Sequence, residues 1–204
     1  MATVAPPSFD DPELARLKRE LRRRARAVRA AVPAPLRQAA GARLRVHLTA
    51  WLRRRRGAAV AGFWPLGGEV DLKPLLQSWH AQGGTALLPR MQGPGRPLRF
   101  LRWTPDTPLE PAAFDVEEPP AGAPEHRPDV VLVPLLAVDA AGYRLGYGGG
   151  FYDRTLAALG AVDAVGVALD VQRVDAVPRG VHDRPLSHLV TESGVMSFSR
   201  GRSR

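Results

Sequence analysis

The chain has 204 residues, no Cys, 20 Gly, 20 Pro and a formal net charge of +9. The absence of cysteine excludes disulfide scaffolds, thiolate metal sites and a cysteine nucleophile. Because no stretch approaches the ~18 uninterrupted apolar residues of a membrane span and residues 1–11 lack the basic-then-apolar pattern of a secretory signal, we expect a globular cytoplasmic protein.

The positive charge is concentrated in residues 12–56, which hold fifteen Lys and Arg against two acidic residues. Such a field attracts anions, so nucleic acid is one possible partner. The segment lacks the interleaved aromatic residues of single-strand binders. Arginine is also favoured along the whole chain, where the only lysines are Lys18 and Lys73. Solvated helix faces or a small phosphorylated ligand therefore explain the charge better than nucleic acid does.

Two helices are predicted at the start of the chain, after a disordered tail over residues 1–11. The first begins with Asp11 as N-cap and Pro12 at the first helical position. Lys18 and Arg22 lie on the flank of its apolar stripe, where their stems can be buried while their charged heads reach a neighbouring groove. The stripe consists of residues three or four apart, namely Leu14, Leu17, Leu21, Ala25 and Val28. The second helix is predicted over residues 35–54.

Strands and helices alternate through the rest of the chain. The strongest strand signal, over residues 129–138, contains a continuous apolar run that is typical of a strand covered on both faces. This alternation predicts an α/β fold with a mainly parallel sheet, in one domain over residues 12–196 with a disordered basic tail over 197–204. Residues 93–128 are interpreted as a surface excursion around one strand. The predicted strands are 58–64, 85–88, 98–103, 129–138 and 164–169, and the later helices are 72–82 and 151–159.

A glycine-rich loop lies between the strand at 129–138 and the helix at 151–159, with five glycines in residues 142–150. Such a backbone can approach a ligand closely, and the following helix N-terminus can bind phosphate. The loop fits neither the P-loop nor the dinucleotide fingerprint, and a flexible helix cap is the alternative. Asp153, in the first helical turn, suggests Mg²⁺ between its carboxylate and phosphates, although it could simply complement the helix dipole.

The segment from Arg144 to Arg154, RLGYGGGFYDR, resembles the signature of the 5-formyltetrahydrofolate cyclo-ligase (methenyltetrahydrofolate synthetase) family. Three further stretches resemble that family in the same order along the chain: residues 18–22, residues 63–71, and the two blocks at 181–186 and 190–192. Ser187 departs from the acidic residue that the family often has there. The resemblance covers residues 18 to about 192 and implies a three-layer α/β/α sandwich.

The resemblance also implies an activity, the ATP-dependent cyclisation of 5-formyltetrahydrofolate to 5,10-methenyltetrahydrofolate through an iminium phosphate. Lys18 and Arg144 would be catalytic, and Asp153 and Asp183 would hold Mg²⁺. ATP would contact Lys18, Arg19, Glu20, Leu21, Arg22, Arg144, Leu145, Gly146, Tyr147, Gly148, Gly149, Gly150, Phe151 and Tyr152. The folate would contact Trp64, Glu69, Tyr147, Gly148, Gly149, Gly150 and Phe151, with the rings of Trp64, Tyr147 or Tyr152 available to stack on the pterin.

Other sequence features add little to this interpretation. His182 and His188 are six residues apart without further ligands, which is typical of surface histidines rather than of a metal pair. Small-molecule substrates, no membrane and a monomer are expected. The alternatives left open are a nucleic-acid-binding protein and a relative on the same fold that binds nucleotide or folate without turning it over.

Overall fold

A computed structural model describes residues 11–198, so most of both predicted tails, residues 1–10 and 199–204, lies outside the described residues. Within the described part, no helix is long and apolar enough to cross a membrane. The α-helices of this part are α1 (Pro12–Ala31), α2 (Ala34–Leu52), α3 (Lys73–Ala81) and α4 (Phe151–Leu159). Single 3₁₀ turns are found at Arg53–Arg55, Ala113–Asp115 and Asp170–Gln172.

Seven strands of the described part form one sheet, namely β1 (Ala59–Ala61), β2 (Thr85–Arg90), β3 (Arg99–Arg102), β6 (Val130–Pro134), β9 (Asp163–Val167), β10 (His188–Thr191) and β11 (Gly194–Ser197). Their order in space is β11-β10-β9-β6-β1-β2-β3. The inner pairs of this sheet are parallel, and only its edge strands β3 and β11 run antiparallel to their neighbours. Two hairpins lie outside it, β4 (Glu110–Pro111) with β5 (Glu117–Glu118) and β7 (Ala137–Val138) with β8 (Arg144–Leu145).

Side chains of the central strands are buried on both faces of the sheet. In β6, Val130 and Leu132 face the core formed with α2 and α3, whereas Val131 and Val133 face the core formed with α4. This period of two follows from the pleat of a strand, and burial on both faces explains the continuous apolar run in the sequence. Helices thus cover the sheet on two sides, which confirms the α/β fold and the three-layer α/β/α sandwich.

Helix α1 begins as predicted but buries a different face. The Asp11 carboxylate accepts a hydrogen bond from the Glu13 N–H at 3.2 Å. Leu17 and Val28, both predicted to face the core, are 38% and 47% exposed, so that part of the apolar stripe was wrong. The buried positions are Lys18, Ala25 and Arg29. The reason is that α1 packs across a small apolar cluster beside the glycine loop, where its long basic side chains find polar partners.

The strand predicted over residues 129–138 was wrong in its second half. Strand β6 ends at Pro134, which has no N–H to extend the ladder, and the chain then leaves the sheet. The Leu136 N–H donates instead to the Leu145 carbonyl at 2.8 Å. The same pairing continues in the β7–β8 hairpin. This turn brings the glycine loop to the carboxyl end of the sheet, where ligands bind in α/β folds.

The C-terminal strands β10 and β11 were not predicted from the sequence. They extend the sheet by a parallel and an antiparallel pairing. Ser197 ends β11, and Phe198 is partly buried against the core, where its N–H donates to the Ser187 carbonyl at 2.9 Å. The predicted tail from residue 197 was therefore wrong for these two residues.

Gly166→Ala is expected to lower the free energy of unfolding by ~1–3 kcal/mol, because the methyl group overpacks the core. A Cβ at this position in β9 would lie 2.6 Å from a methyl carbon of Leu186, and Leu135 and Leu189 lie within 3.1 Å. All three leucines are buried and have little room to move. Urea unfolding measures the effect against Gly122→Ala, whose Cβ would meet nothing within 4 Å. Equal stability of the two variants would contradict this packing.

Candidate active site

The loop over residues 146–150 has a backbone that requires glycine at specific positions. Gly148 has φ 111° and Gly150, the N-cap of α4, has φ 64°, both in the region that disfavours residues with a Cβ. A Cβ on Gly149 would lie 2.8 Å from the Phe151 ring. The predicted cradle is therefore a fixed turn directly before a helix N-terminus, a geometry suited to binding phosphate.

Two guanidinium groups fix the carbonyls of this loop. Arg22 on α1 donates from Nε to the Gly146 carbonyl at 2.9 Å, and Arg154 on α4 donates to the Gly149 carbonyl. The Arg154 guanidinium carbon also lies 5.5 Å from the centre of the Phe151 ring. Arg22 was a predicted site residue and Arg154 was not, although it closes the signature segment. Together they set the orientation of the loop peptides.

Lys18 is brought from α1 to a turn near the other end of the chain. Its Nζ donates to Asp183 Oδ2 at 2.9 Å, and the Gly180 N–H donates to the same oxygen at 2.6 Å. Lys18 is only 7% exposed. A buried ammonium requires such a partner, so the structure joins two predicted site residues, one assigned to ATP and one to the metal.

Arg144 and Asp153 form the second cation–carboxylate pair of the site. Arg144 Nη2 donates to Asp153 Oδ1 at 2.8 Å, and the Arg184 N–H donates to the same oxygen at 3.2 Å. Arg144 Nη1 also donates to the Arg184 carbonyl at 2.6 Å. Since Arg184 directly follows Asp183, the turn over residues 180–184 links this pair to the Lys18–Asp183 pair.

Asp153 and Asp183 have the donor chemistry that Mg²⁺ requires, but they do not form a closed cage. Both hydrogen bonds given above for Asp153 fall on Oδ1 and both for Asp183 fall on Oδ2, so each carboxylate has a second oxygen to offer. Within residues 11–198, no group of three or more acidic or histidine side chains could hold a metal ion. Mg²⁺ commonly uses one or two carboxylates together with substrate phosphates, and the two aspartates fit that mode.

Glu69 lies in a buried polar network on the loop after β1. Its side chain is 5% exposed, and it accepts hydrogen bonds from the Tyr147 hydroxyl and from the Leu66 N–H, the latter at 2.8 Å. Arg29 Nη1 donates to the Tyr147 hydroxyl at 2.8 Å and lies 4.0 Å from Glu69 Oε1. Burial raises the pKa of Glu69, whereas the hydrogen bonds from Leu66 and Tyr147 and the charge of Arg29 lower it by less. Burial and the Glu69 charge raise the pKa of Tyr147.

The structure does not gather every predicted site residue. Arg19 and Glu20 are exposed on α1, where Glu20 contacts Arg16 at 3.5 Å. Trp64 packs partly against the core, with Lys73 Nζ 4.0 Å from the ring centre. Tyr152 packs against the core on the α4 side, and burial raises its pKa. The other predicted residues lie on α1, in the segment over residues 144–153, on the loop after β1 that carries Glu69, or in the turn that carries Asp183.

The two histidines considered as a metal pair have different surroundings. His182 is exposed. His188 is half-buried in β10, with its ring 5.0 Å from that of Trp51 and its Nδ1 3.0 Å from the Ser187 hydroxyl. The interpretation of His188 as a surface residue was therefore wrong. Ser187 itself is buried and donates to the Ala164 carbonyl at 2.9 Å.

Arg29 is buried near the end of α1 and was not predicted as a site residue. The sequence did carry a signal, because Arg29 follows Lys18, Arg22 and Ala25 at spacings of four, three and four residues. These spacings place it on the same helix face. The predicted apolar stripe included the neighbouring Val28 instead, and Val28 is exposed.

Glu69→Gln is expected to raise the free energy of unfolding at pH 8, because glutamine resembles the neutral form that burial favours. The folded-state pKa of Glu69 lies above its ordinary value of 4.5, so the wild type loses stability as pH rises from the unfolded-state value through the folded-state value. The advantage of the variant should therefore grow over that interval and then level off. Denaturant unfolding at several pH values measures it, and a difference that shrinks with rising pH would contradict this explanation.

Comparisons with known proteins all point to one family. The sequence profile of the 5-formyltetrahydrofolate cyclo-ligase family matches residues 15–192. The 5-formyltetrahydrofolate cyclo-ligase of Haemophilus influenzae is 32% identical over 83% of this chain and 94% of its own length. The protein of that name from Mycolicibacterium smegmatis is 35% identical over 90% of this chain and 98% of its own.

A solved structure is similar as well. The NMR structure of Aquifex aeolicus 5,10-methenyltetrahydrofolate synthetase aligns with a TM-score of 0.79 and 32% identity. The alignment covers 92% of this chain and 96% of that one. The structure of 5,10-methenyltetrahydrofolate synthetase from Mycoplasma pneumoniae, 19% identical with a TM-score of 0.70, shares the fold.

Proposed function

The chain belongs to the 5-formyltetrahydrofolate cyclo-ligase family, and on this premise we propose that it converts 5-formyltetrahydrofolate and ATP to 5,10-methenyltetrahydrofolate, ADP and phosphate. We expect it to act as a cytoplasmic monomer on these two small-molecule substrates. Nucleic acid is not required by this proposal.

The proposed chemistry solves a leaving-group problem. The formyl oxygen of an amide leaves poorly, so direct attack by N10 on the formyl carbon is slow. Transfer of the γ-phosphoryl group to that oxygen gives an iminium phosphate and ADP. N10 then attacks the former formyl carbon and loses its proton, and the carbon–oxygen bond breaks as phosphate departs. Protein side chains contribute positioning and charge neutralisation, as is general for phosphoryl transfer.

The observation that carries the proposal is the pairing of two buried cations with carboxylates beside the glycine loop. Lys18 with Asp183 and Arg144 with Asp153 give a site that can neutralise phosphate charge without burying an isolated ion. The loop N–H groups and the N-terminus of α4 would hold the phosphates in place. Lys18, a compact charge on a flexible stem, suits a phosphoryl group that moves between two oxygens.

Asp153 and Asp183 would hold Mg²⁺ together with the phosphates of the nucleotide. When bound with the nucleotide, that ion would supply charge neutralisation on the phosphate oxygens. Lys18 and Arg144 lie against the same two carboxylates and would neutralise the charge of the phosphates from there.

Glu69 and Tyr147 would bind the pterin ring. Glu69 offers a buried carboxylate that can accept hydrogen bonds from ring N–H groups, and Tyr147 offers an aromatic face beside it. Burial increases the selectivity of such a contact, because an analogue without the donor would desolvate the carboxylate without adding a hydrogen bond to it.

The test is to incubate the purified protein with 5-formyltetrahydrofolate and Mg-ATP, and to follow the near-ultraviolet absorption of the methenyl product against a control without ATP. We expect an ATP-dependent rise. No rise with ATP still bound would indicate a non-catalytic relative on the same fold. If the protein neither turns over these substrates nor binds ATP, but retains RNA or duplex DNA in a salt-sensitive way, the nucleic-acid alternative is favoured.

A further inference from the structure

Arg29 connects three separate parts of the site although no predicted role includes it. Its guanidinium donates from Nη1 to the Tyr147 hydroxyl at 2.8 Å and from Nη2 to the Gly67 carbonyl at 2.9 Å. The same group lies 4.0 Å from Glu69 and 5.9 Å from the centre of the Tyr147 ring. Arg29 is buried, which is unusual for an arginine unless it is paired.

These contacts join the loop that carries Glu69 to the loop that would cradle phosphate. Gly67 and Glu69 belong to the segment after β1, whereas Tyr147 belongs to the glycine loop before α4. The Tyr147 hydroxyl donates to Glu69 and accepts from Arg29, so a guanidinium, a phenol and a carboxylate form one chain. A planar guanidinium with two donors in fixed directions suits this double contact, whereas a lysine ammonium does not reproduce it.

We propose that Arg29 is a positioning residue that fixes Glu69 and Tyr147 in the geometry that binds the pterin, and that it couples the folate loop to the phosphate loop. This inference rests on the proposed function. It adds a residue to the site and a specific role, because Arg29 acts on the folate through Glu69 and Tyr147 and not by transferring a proton or a phosphoryl group.

The charge of Arg29 also matters to Glu69. The groups that interact with this carboxylate are Arg29 from α1, the Tyr147 hydroxyl, the Leu66 N–H and Tyr152 from α4. Among them Arg29 is the cation that lowers the pKa of Glu69 against the effect of burial. Removal of Arg29 should therefore raise the pKa of Glu69, so that this residue stays protonated up to a higher pH. A contact that needs the ionised carboxylate should then weaken.

The experiment compares Arg29→Met, Arg29→Lys and the control Arg23→Met, an exposed arginine on the outer face of α1. Steady-state kinetics would be measured for each substrate from pH 6 to 9. For Arg29→Met we expect the KM for 5-formyltetrahydrofolate to rise at least tenfold and the KM for ATP to rise much less. The pH below which the folate KM increases should move upward. Arg29→Lys should restore the pH profile, because it keeps the positive charge. It should reverse only part of the increase in the folate KM, because the ammonium does not reproduce the two guanidinium hydrogen bonds to Tyr147 and Gly67.

A merely structural role would give a different result. If Arg29 only stabilised the end of α1, Arg29→Met would lower the melting temperature and leave the folate KM and its pH profile unchanged in the folded enzyme, which would overturn the proposal. Equal increases in both KM values would also overturn it.

A second readout does not depend on turnover. Hydrogen exchange of the peptides containing Gly67 and Tyr147 should accelerate in Arg29→Met but not in Arg23→Met. If the wild type proves inactive, the proposed function fails, yet this exchange still tests the coupling between the two loops. Unchanged exchange in both peptides would contradict the coupling itself.

Discussion

Replacing Lys18 with methionine is expected to lower turnover at least about tenfold, equivalent to ~1.4 kcal/mol in the barrier. Methionine keeps most of the stem that packs in the site and removes the charge that faces Asp183. If the ammonium neutralises the γ-phosphoryl group during transfer, the loss should fall mainly on kcat. Steady-state rates with saturating 5-formyltetrahydrofolate and Mg-ATP measure it.

Two further variants make the Lys18 result specific. Lys18→Arg keeps the charge but replaces a compact ammonium with a rigid fork, so we expect only partial recovery. Arg23→Met removes a positive charge from the outer face of the same helix and should leave turnover near the wild-type rate. A Lys18→Met enzyme with near wild-type kcat would remove Lys18 from the proposed mechanism.

Asp153→Asn is expected to lower turnover at least about tenfold (~1.4 kcal/mol) and to raise the Mg²⁺ concentration needed for half-maximal rate. The amide retains the size of the side chain but loses the charge that pairs with Arg144 at 2.8 Å and would hold the ion. Because Arg144 is only 3% exposed at its side chain, the variant also leaves a buried guanidinium with a weaker partner. Rates measured over a range of Mg²⁺ concentrations separate the two effects.

The matched control is Asp163→Asn, which weakens another arginine–aspartate pair. Arg55 Nε contacts Asp163 Oδ2 at 3.0 Å, but this pair lies at the start of β9, away from the carboxyl ends of the strands. We expect Asp163→Asn to leave both turnover and its Mg²⁺ dependence unchanged. A loss of activity in Asp153→Asn that excess Mg²⁺ does not alter would assign Asp153 to holding Arg144 alone.

The sequence by itself determined the helices and most of the central strands of this protein, although not β10 and β11. Helix signals such as Asp11 and Pro12 act locally, so the start of α1 could be predicted to the residue. The apolar run in β6 and the alternation of strands and helices were enough to predict an α/β fold with a mainly parallel sheet, whereas the resemblance to the family implied the three-layer sandwich. The glycine segment before α4 indicated a phosphate cradle because glycine readily adopts positive φ angles and allows a ligand to approach the backbone closely.

Tertiary structure decided which of these residues meet. Lys18 and Asp183 are 165 positions apart, and no local pattern predicts that pair. The same holds for Arg29, whose partners Gly67 and Tyr147 come from two different loops. The face that α1 buries was also set by what it packs against, since polar partners beside the glycine loop drew Lys18 and Arg29 inward and left Val28 exposed. Periodicity reports which residues share a face, but the free energy of burial depends on the partners that the rest of the chain supplies.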